Sequence, residues 1–407
     1  MRPRRGSCAI VAALVAALAC LCCEPTPPCA RRFVPSIPLG TVPNDVAFGV
    51  CAGAPVALVP ASGDGRLDVL DLPCGELHSS LPFPPEGGRP ATPWAVAVDG
   101  DRAWVTLQGQ HAVVLVDYCA GALVAELRPE DVIELDPPLH LSAPEDVDGD
   151  GEAETEVRRL SPRAPEAVVA AGGVAFATFT NLLEAGLDVA HPPVIGPGVL
   201  ARFELDADGE GPRTATLPCT NPQGLAWHDD ALWVSCTGPL GPTIDSTVAA
   251  LGDGALVRVD PSTLATLEVI AAGSFAPGTP AILDHAVVVG SLLRPALARI
   301  VDGGFLETAV GDVREIDSVF ECARIDAAVG ARALCTHFSR DRLLLVDVPI
   351  DDLHVAAELP VGAGGAIFRG AQAVAVAPPA ARELGVGAAV VLGLSAELAL
   401  VPVELLP

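Results

Sequence analysis

The sequence predicts an all-β chain, a single seven-bladed β-propeller of four-stranded antiparallel blades. Three observations predict it. The 407 residues include 40 Gly and 39 Pro spread along the chain, which suits many short strands joined by turns better than long helices. Half of the residues are hydrophobic, enough apolar surface to exclude a disordered polymer. A unit of four short Val/Leu/Ala-rich segments recurs seven times, from Pro43, Pro93, Pro165, Pro222, Pro280, Ile316 and Ala371, within reach of propeller-blade periods once loops are allowed. A two-sheet sandwich needs fewer strands than this.

The N-terminus reads as an address. MRPRRGS is cationic, and Cys8 to Cys23 is apolar but shorter than the roughly 20 residues that span a bilayer as a helix. A charged start, a short apolar stretch and small residues at its end describe a secretory leader. Ala17-Leu18-Ala19-Cys20 resembles a bacterial lipobox, which implies a signal peptide over 1–19 and lipid on Cys20. Leu21, not Asp, follows that cysteine, which by resemblance to lipoprotein sorting signals favours the outer membrane, facing the periplasm or the cell surface. The alternative is ordinary cleavage between Ala19 and Ala30 without lipid. Residues 20–42, Pro-rich from Glu24 on, are expected to be a tether, and 43–407 the propeller. The net charge of −27 and the isoelectric point near 4.5 argue against nucleic acid as a partner, because phosphate binding needs cationic charge. They also leave the lipid as the only expected membrane contact, since an acidic domain does not adhere to anionic leaflets.

Pro93 to Leu127 is the clearest unit. It divides into strands Trp94–Val98, Arg102–Leu107, Ala112–Asp117 and Ala122–Leu127, separated by Asp99-Gly100, Gln108-Gly109 and Ala120-Gly121, the pattern of an antiparallel meander. Written almost whole, "PxxVAV-DG-xxWVT-xxxxxxVxVVD-xxxGxLVAxL" resembles the YVTN-type (surface-layer and NHL-like) β-propeller repeat. The unit from Pro222 matches nearly as well, and the one from Ile316 least. The resemblance covers about 360 residues and implies a fold more than an activity. Ring closure is expected to use a strand from Arg32–Ile37 or from Leu398–Leu405 in the blade of the other terminus.

Between the second and third units an acidic insertion, 130–162, contains Asp146-Val147-Asp148-Gly149-Asp150-Gly151-Glu152-Ala153-Glu154. Alternating carboxylates with two Gly permit a tight wrap around one cation. The EF-hand pattern fails, because Val157 stands where a bidentate Glu is needed. The stretch resembles the DxDGDGxxD loop of integrin-type and FG-GAP calcium sites, which implies structural Ca²⁺ on the side chains of Asp146, Asp148, Asp150 and Glu154 and the backbone carbonyl of Glu152. The alternative is a merely solvated acidic loop.

Propeller ligands usually sit where the innermost strands open onto the central channel. Aligning the units on their first strand places Asn44, Trp94, Glu166, Gln223, Ala281, Asp317 and Gln372 at that mouth, five of them polar groups able to fix a ligand and Trp94 a stacking face. A wet channel mouth also tolerates polar residues without binding anything. Asn221-Pro222-Gln223-Gly224-Leu225-Ala226 resembles the "PNGLA" stretch of calcium-dependent lactonases, but the Asn is out of register. Gly393-Leu394-Ser395-Ala396-Glu397 lacks the second Gly of a nucleophile elbow, and no CxxCH is present. The expected function is therefore a non-catalytic binding or scaffold module for a protein or envelope component, acting as a monomer. The alternative is a metal-dependent hydrolase or lactonase with its site at the channel.

Eight of the twelve Cys lie from Cys29 onward, an even number that suits disulfides in an oxidising compartment. Cys322 and Cys335 fall on adjacent strands of the sixth unit, whose opposed Cα atoms lie about 4.5 to 5.5 Å apart, within disulfide reach. Cys219 and Cys236 are expected to meet at one rim of the fourth unit. Cys51 and Cys74 share the first unit and are expected to pair, although Cys74 also aligns with Cys119 one blade on.

Overall fold

The computed structural model describes residues 34–184, 191–204, 211–228, 230–242, 248–310, 318–325, 331–349, 352–361 and 369–406. Seven four-stranded antiparallel sheets succeed one another along the chain. Blade 2 shows how the sequence makes them. Its strands are Pro93–Asp99, Arg102–Leu107, Ala112–Asp117 and Ala122–Leu127, and their turns use left-handed Gly100 and Gly121, a conformation free of steric cost only in glycine. The two middle strands are buried almost throughout, and the outer strand is mostly exposed.

Burial of both sheet faces explains the run of small aliphatic residues. Val105, Val114 and Val116 face blade 1, whereas Trp104, Val113 and Leu115 between them face blade 3. The core is thus divided. Seven apolar clusters fill the seven interfaces, from blades 1 and 2 around to blades 7 and 1. Blade 7 receives only three strands from the C-terminus, Ala371–Val376, Val386–Leu392 and Glu397–Pro402. Its fourth strand is Ser36–Pro38, paired with Glu397–Pro402 through Ser36↔Ala399 and Ile37↔Leu398. The two segments expected at ring closure pair with each other, so residues 36–38 are blade rather than tether. An unpaired edge would otherwise remain there.

One hydrogen bond recurs in every blade. The N–H just beyond the second strand donates to the carbonyl just before the first: Ser62 to Val42, Gln108 to Thr92, Thr180 to Ala164, Thr237 to Asn221, Leu292 to Ala276, Phe338 to Ser318 and Gly393 to Gly370, at 2.9–3.1 Å. Six of the seven acceptor residues, all except Ser318, have left-handed φ, including the β-branched Val42 at 52°. That conformation is rare for such a side chain and is held by its surroundings. The repeated bond defines equivalent positions around the ring.

Among the described residues, disulfides join Cys51 to Cys119, Cys219 to Cys236 and Cys322 to Cys335, with Cα atoms 5.4, 6.1 and 4.1 Å apart. Cys322 and Cys335 are cross-strand partners. Cys219 lies on the outer strand of blade 3, Arg213–Thr220, so its bond to Cys236 ties blade 3 to blade 4. The expected Cys51–Cys74 pair is corrected. Cys51 ends the first strand of blade 1, Ala47–Cys51, whereas Cys74 lies in the turn after the third, Arg66–Asp71. With strands about 4.8 Å apart, that separation exceeds disulfide reach. The equivalent turn of blade 2 reaches Cys51 instead, and the neighbouring Tyr118 hydroxyl bonds Val50 and Gly100. Cys74 is itself disulfide-bonded, to none of the described cysteines. No helix among the described residues is long and apolar enough to cross a membrane. Cys20 and Asp317 lie outside the described residues.

The Cys51–Cys119 bond spans 68 residues, for which the chain-entropy model gives about 4 kcal/mol. Urea unfolding of Cys51→Ser/Cys119→Ser should show a loss of that order, and non-reducing peptide maps of Cys74→Ser should still contain the 51–119 crosslink.

Candidate functional site

The repeated hydrogen bond fixes which residues reach the channel. Two positions after each acceptor carbonyl stand Asn44, Trp94, Glu166, Gln223, Gly278, Phe320 and Gln372. Sequence alignment found five of these. In blade 5 the structure replaces Ala281 with Gly278, and in blade 6 Phe320 takes the role expected of Asp317. The isolated bridges Pro277↔Ser291 and Thr279↔Glu321 show why. In blade 5 the chain is already in register before its regular first strand, Ala281–Leu283, begins.

All seven line one cavity of about 240 Å³ at the centre of the ring, together with Asp45, Thr279, Glu321 and the apolar Val46, Val96, Leu225 and Leu292. Asn44 donates to Ser62 Oγ, which donates to the Pro93 carbonyl. Gln372 Nε2 reaches Asn44 Oδ1 at 3.3 Å. Glu166, buried, accepts from Gln108 Nε2 at 2.7 Å and from Trp94. Thr106, the Thr of the WVT triplet, accepts from Ala95 N and contacts the Glu166 carbonyl across the blade interface. Thr336 does the same between Glu321 N and the Gln372 carbonyl.

The next position inward carries two acids that sequence alignment missed. Asp45 Oδ2 accepts from Val96 N of blade 2 at 2.8 Å, and Glu321 Oε2 accepts from Val374 N of blade 7 at 3.2 Å. Each caps a backbone N–H of the neighbouring blade's first strand, close to the register shift near that strand's start. Matching Thr336 to Thr106 in the sequence would have exposed this register. Burial raises all three carboxyls: Asp45 to about 6, Glu166 to about 8, and Glu321 well above the usual range, with the Asp45 charge adding to the last. No basic side chain lines the cavity among the described residues.

The acidic insertion is a β-hairpin, Ile133–Glu145 against Glu154–Leu160, with Asp146–Glu152 in its tip. Carboxylate oxygens of Asp146, Asp148 and Asp150 lie within 4.8 Å of one another. Backbone N–H groups of Gly149, Gly151, Asp150 and Glu152 donate to these three carboxylates. Asp148 is also paired with Arg159 at 3.2 Å. Glu154 is raised by burial and then by the charges of Asp148, Asp150 and Asp146.

Two further hairpins, Leu182–Glu184 with Val194–Ile195 and Leu240–Pro242 with Val248–Ala250, interrupt blades 3 and 4 between their second and third strands. In an antiparallel blade that connection and the one preceding the first strand lie at the same end. All three hairpins therefore rise on the face where the first strands open. They touch: Ser142 N and Oγ donate to Glu184 Oε1, Leu183 and Val194 pack on Leu141 and Leu160, and a Cβ on Gly241 would stand 3.2 Å from Pro193. Arg163, buried, anchors the crest through Glu145 at 2.7 Å.

The chain matches no protein-family profile and no curated protein. Among solved structures it is similar to streptogramin B lyase (12% identity, TM-score 0.56, 90% of this chain and 95% of that one). It is also similar to a chain of the mitotic checkpoint complex (11%, 0.59, 91% and 92%) and to the Cps50 (Swd1) β-propeller domain of Myceliophteria thermophila (12%, 0.55, 91% and 98%). At such identities these likenesses show the fold alone, a seven-bladed β-propeller.

Glu166 gives the site a pH signature. The unfolded chain releases this proton near 4.5 and the folded chain holds it to about 8, so the folded state binds more protons between those values and stability falls as pH rises through them. The slope from one such group is up to about 1.4 kcal/mol per pH unit. Chemical denaturation at pH 5 and pH 8 should show Glu166→Gln losing less stability over that interval than the parent.

Proposed function

We propose that this chain is a non-catalytic binding module, anchored by lipid on Cys20 at the outer membrane of a bacterial envelope, that holds a protein or envelope component on the face bearing the channel mouth and the three hairpins. The observation that carries the reading is the concentration of the three inserted hairpins on that one face, beside the cavity. Disulfides persist in oxidising compartments, which agrees with an extracytoplasmic location. The YVTN/NHL-like repeat and the lipobox resemblance supply the envelope setting. The partner expected is cationic, because residues 130–162 carry eleven carboxylates against two Arg and complementary charge steers encounter.

The alternative, a hydrolase or lactonase with a channel metal, needs several ligand atoms around one point. Among the described residues the only such group is Asp146, Asp148 and Asp150, at the hairpin tip.

Cell fractionation and in-cell crosslinking test the proposal. Wild type should sediment with membranes and Cys20→Ser should not. Its crosslinked product should be lost with Glu134→Arg/Glu152→Arg/Glu156→Arg on the crest and kept with Leu123→Arg on the outer strand of blade 2. Loss only with Leu123→Arg would place the partner elsewhere and sink the reading.

We assign Ca²⁺ to the hairpin tip, held by Asp146, Asp148, Asp150 and Glu154 with the Glu152 carbonyl, as a brace for the crest. Three oxygens already oriented by backbone N–H groups suit a hard cation. Calorimetric titration of Ca²⁺ should show one site, lost in Asp146→Asn/Asp150→Asn. An unchanged isotherm would refute the assignment.

A further inference from the structure

The central cavity has a chemical character that the fold does not require. Its walls combine apolar side chains, Val46, Leu225 and Leu292, with two aromatic rings, Trp94 and Phe320. Three carboxyls, Asp45, Glu166 and Glu321, are its only ionisable lining among the described residues. A propeller channel can be filled by any polar residues, and a purely structural acid is ordinarily paired with Arg. These acids are paired with backbone N–H groups, an amide and an indole, none of which carries charge. Burying like charges together without a cation is costly. Protonation relieves that cost while no cation is bound, and an entering cation would take the protons' place, releasing them to solvent.

The type of cation follows from the geometry. A divalent metal needs several oxygens converging on one point, and no three ligand atoms in the channel do so among the described residues. An organic ammonium needs one or two carboxylates, an apolar sleeve for its methylenes and, where available, an aromatic face, all of which the cavity has.

We propose that the central cavity takes up the protonated amine end of an extended ligand, with Asp45 and Glu321 as its counter-charges and the rings of Trp94 and Phe320 beside its alkyl stem. This rests on the reading of the mouth face as the binding face and specifies what the partner inserts there. The amide groups of Asn44, Gln223 and Gln372 ring the same mouth and offer carbonyl oxygens to the ammonium protons. Glu166 lies across the cavity, tied to Gln108 and Trp94, and keeps the indole in place.

The experiment is calorimetric titration of the full chain with n-butylammonium and cadaverine, with butanol and butyrate as controls and Ca²⁺ and Zn²⁺ as separate arms. Saturable binding of both amines and of neither control is expected. Asp45→Asn and Glu321→Gln should each weaken it about tenfold or more, the usual effect of losing one charge-assisted hydrogen bond. Glu321→Gln should also raise the melting temperature at pH 8, which reports that the ring is intact. Gln223→Arg places a fixed cation at the mouth and should abolish amine binding with the fold retained. Equal binding of butanol, amine binding unchanged in these variants, or a metal isotherm lost in Glu321→Gln would each overturn the proposal. If amines fail while crosslinking still depends on the crest acids, the cation inference falls and the binding face stands; if both fail, the binding face falls with it.

Discussion

Everything in this molecule depends on sheets that are apolar on both faces. A blade buries Val, Ala and Leu on either side, so none can stand alone, and each interface requires a neighbour. The seven clusters between blades are the protein's core, and the demand for partners on both faces is met only by a closed ring. Closure brings the first strands together at the axis, with their first residues facing one another around a cavity. The site is thus a geometric by-product of how the core is packed, and its chemistry is whatever residues occupy those seven positions.

Polar clips hold the same interfaces near the axis. Thr106 and Thr336 contact the carbonyl of the next blade, and Asp45 and Glu321 cap a backbone N–H of its first strand. The acids therefore serve two purposes. Their backbone bonds stitch blade 1 to blade 2 and blade 6 to blade 7, while their carboxyls give the cavity its acidic lining. Three inserted hairpins rise on the same face, and the largest is the most acidic stretch of the chain. The mouth is lined by carboxyls and the crest is rich in carboxylates, so a cationic partner would meet acidic groups at both.

The fold was largely legible because blade burial leaves a repeated composition. The strands of blade 2 coincide with those read from its pattern, except that Pro93 and Asp99 extend the first. The mouth was legible where Pro, or Ala371, announces the first strand. It failed in blades 5 and 6, where the hydrophobic pattern put the first strand three residues late (Ala281 for Gly278) and three residues early (Asp317 for Phe320). Register there is set by a backbone hydrogen bond and by Thr336, neither of which hydrophobicity reports. Cys51 illustrates a different blindness. A within-unit reading of cysteines ignores that the turn after the third strand of one blade packs on its predecessor, which is how Cys119 comes to Cys51.

The strand Ser36–Pro38 carries a consequence for the order of events during biogenesis. Ser36 bonds Glu397 across 361 residues of sequence, so the outermost strand of blade 7 has nothing to pair with until the last blade has been synthesised. Six interfaces can form as the chain emerges, but the seventh waits for the end of translation, the most non-local contact among the described residues and the kind that forms slowly. Until then the open ring presents the edge of Glu397–Pro402 and the uncovered faces of blades 1 and 7, surfaces of the sort that chaperones shield.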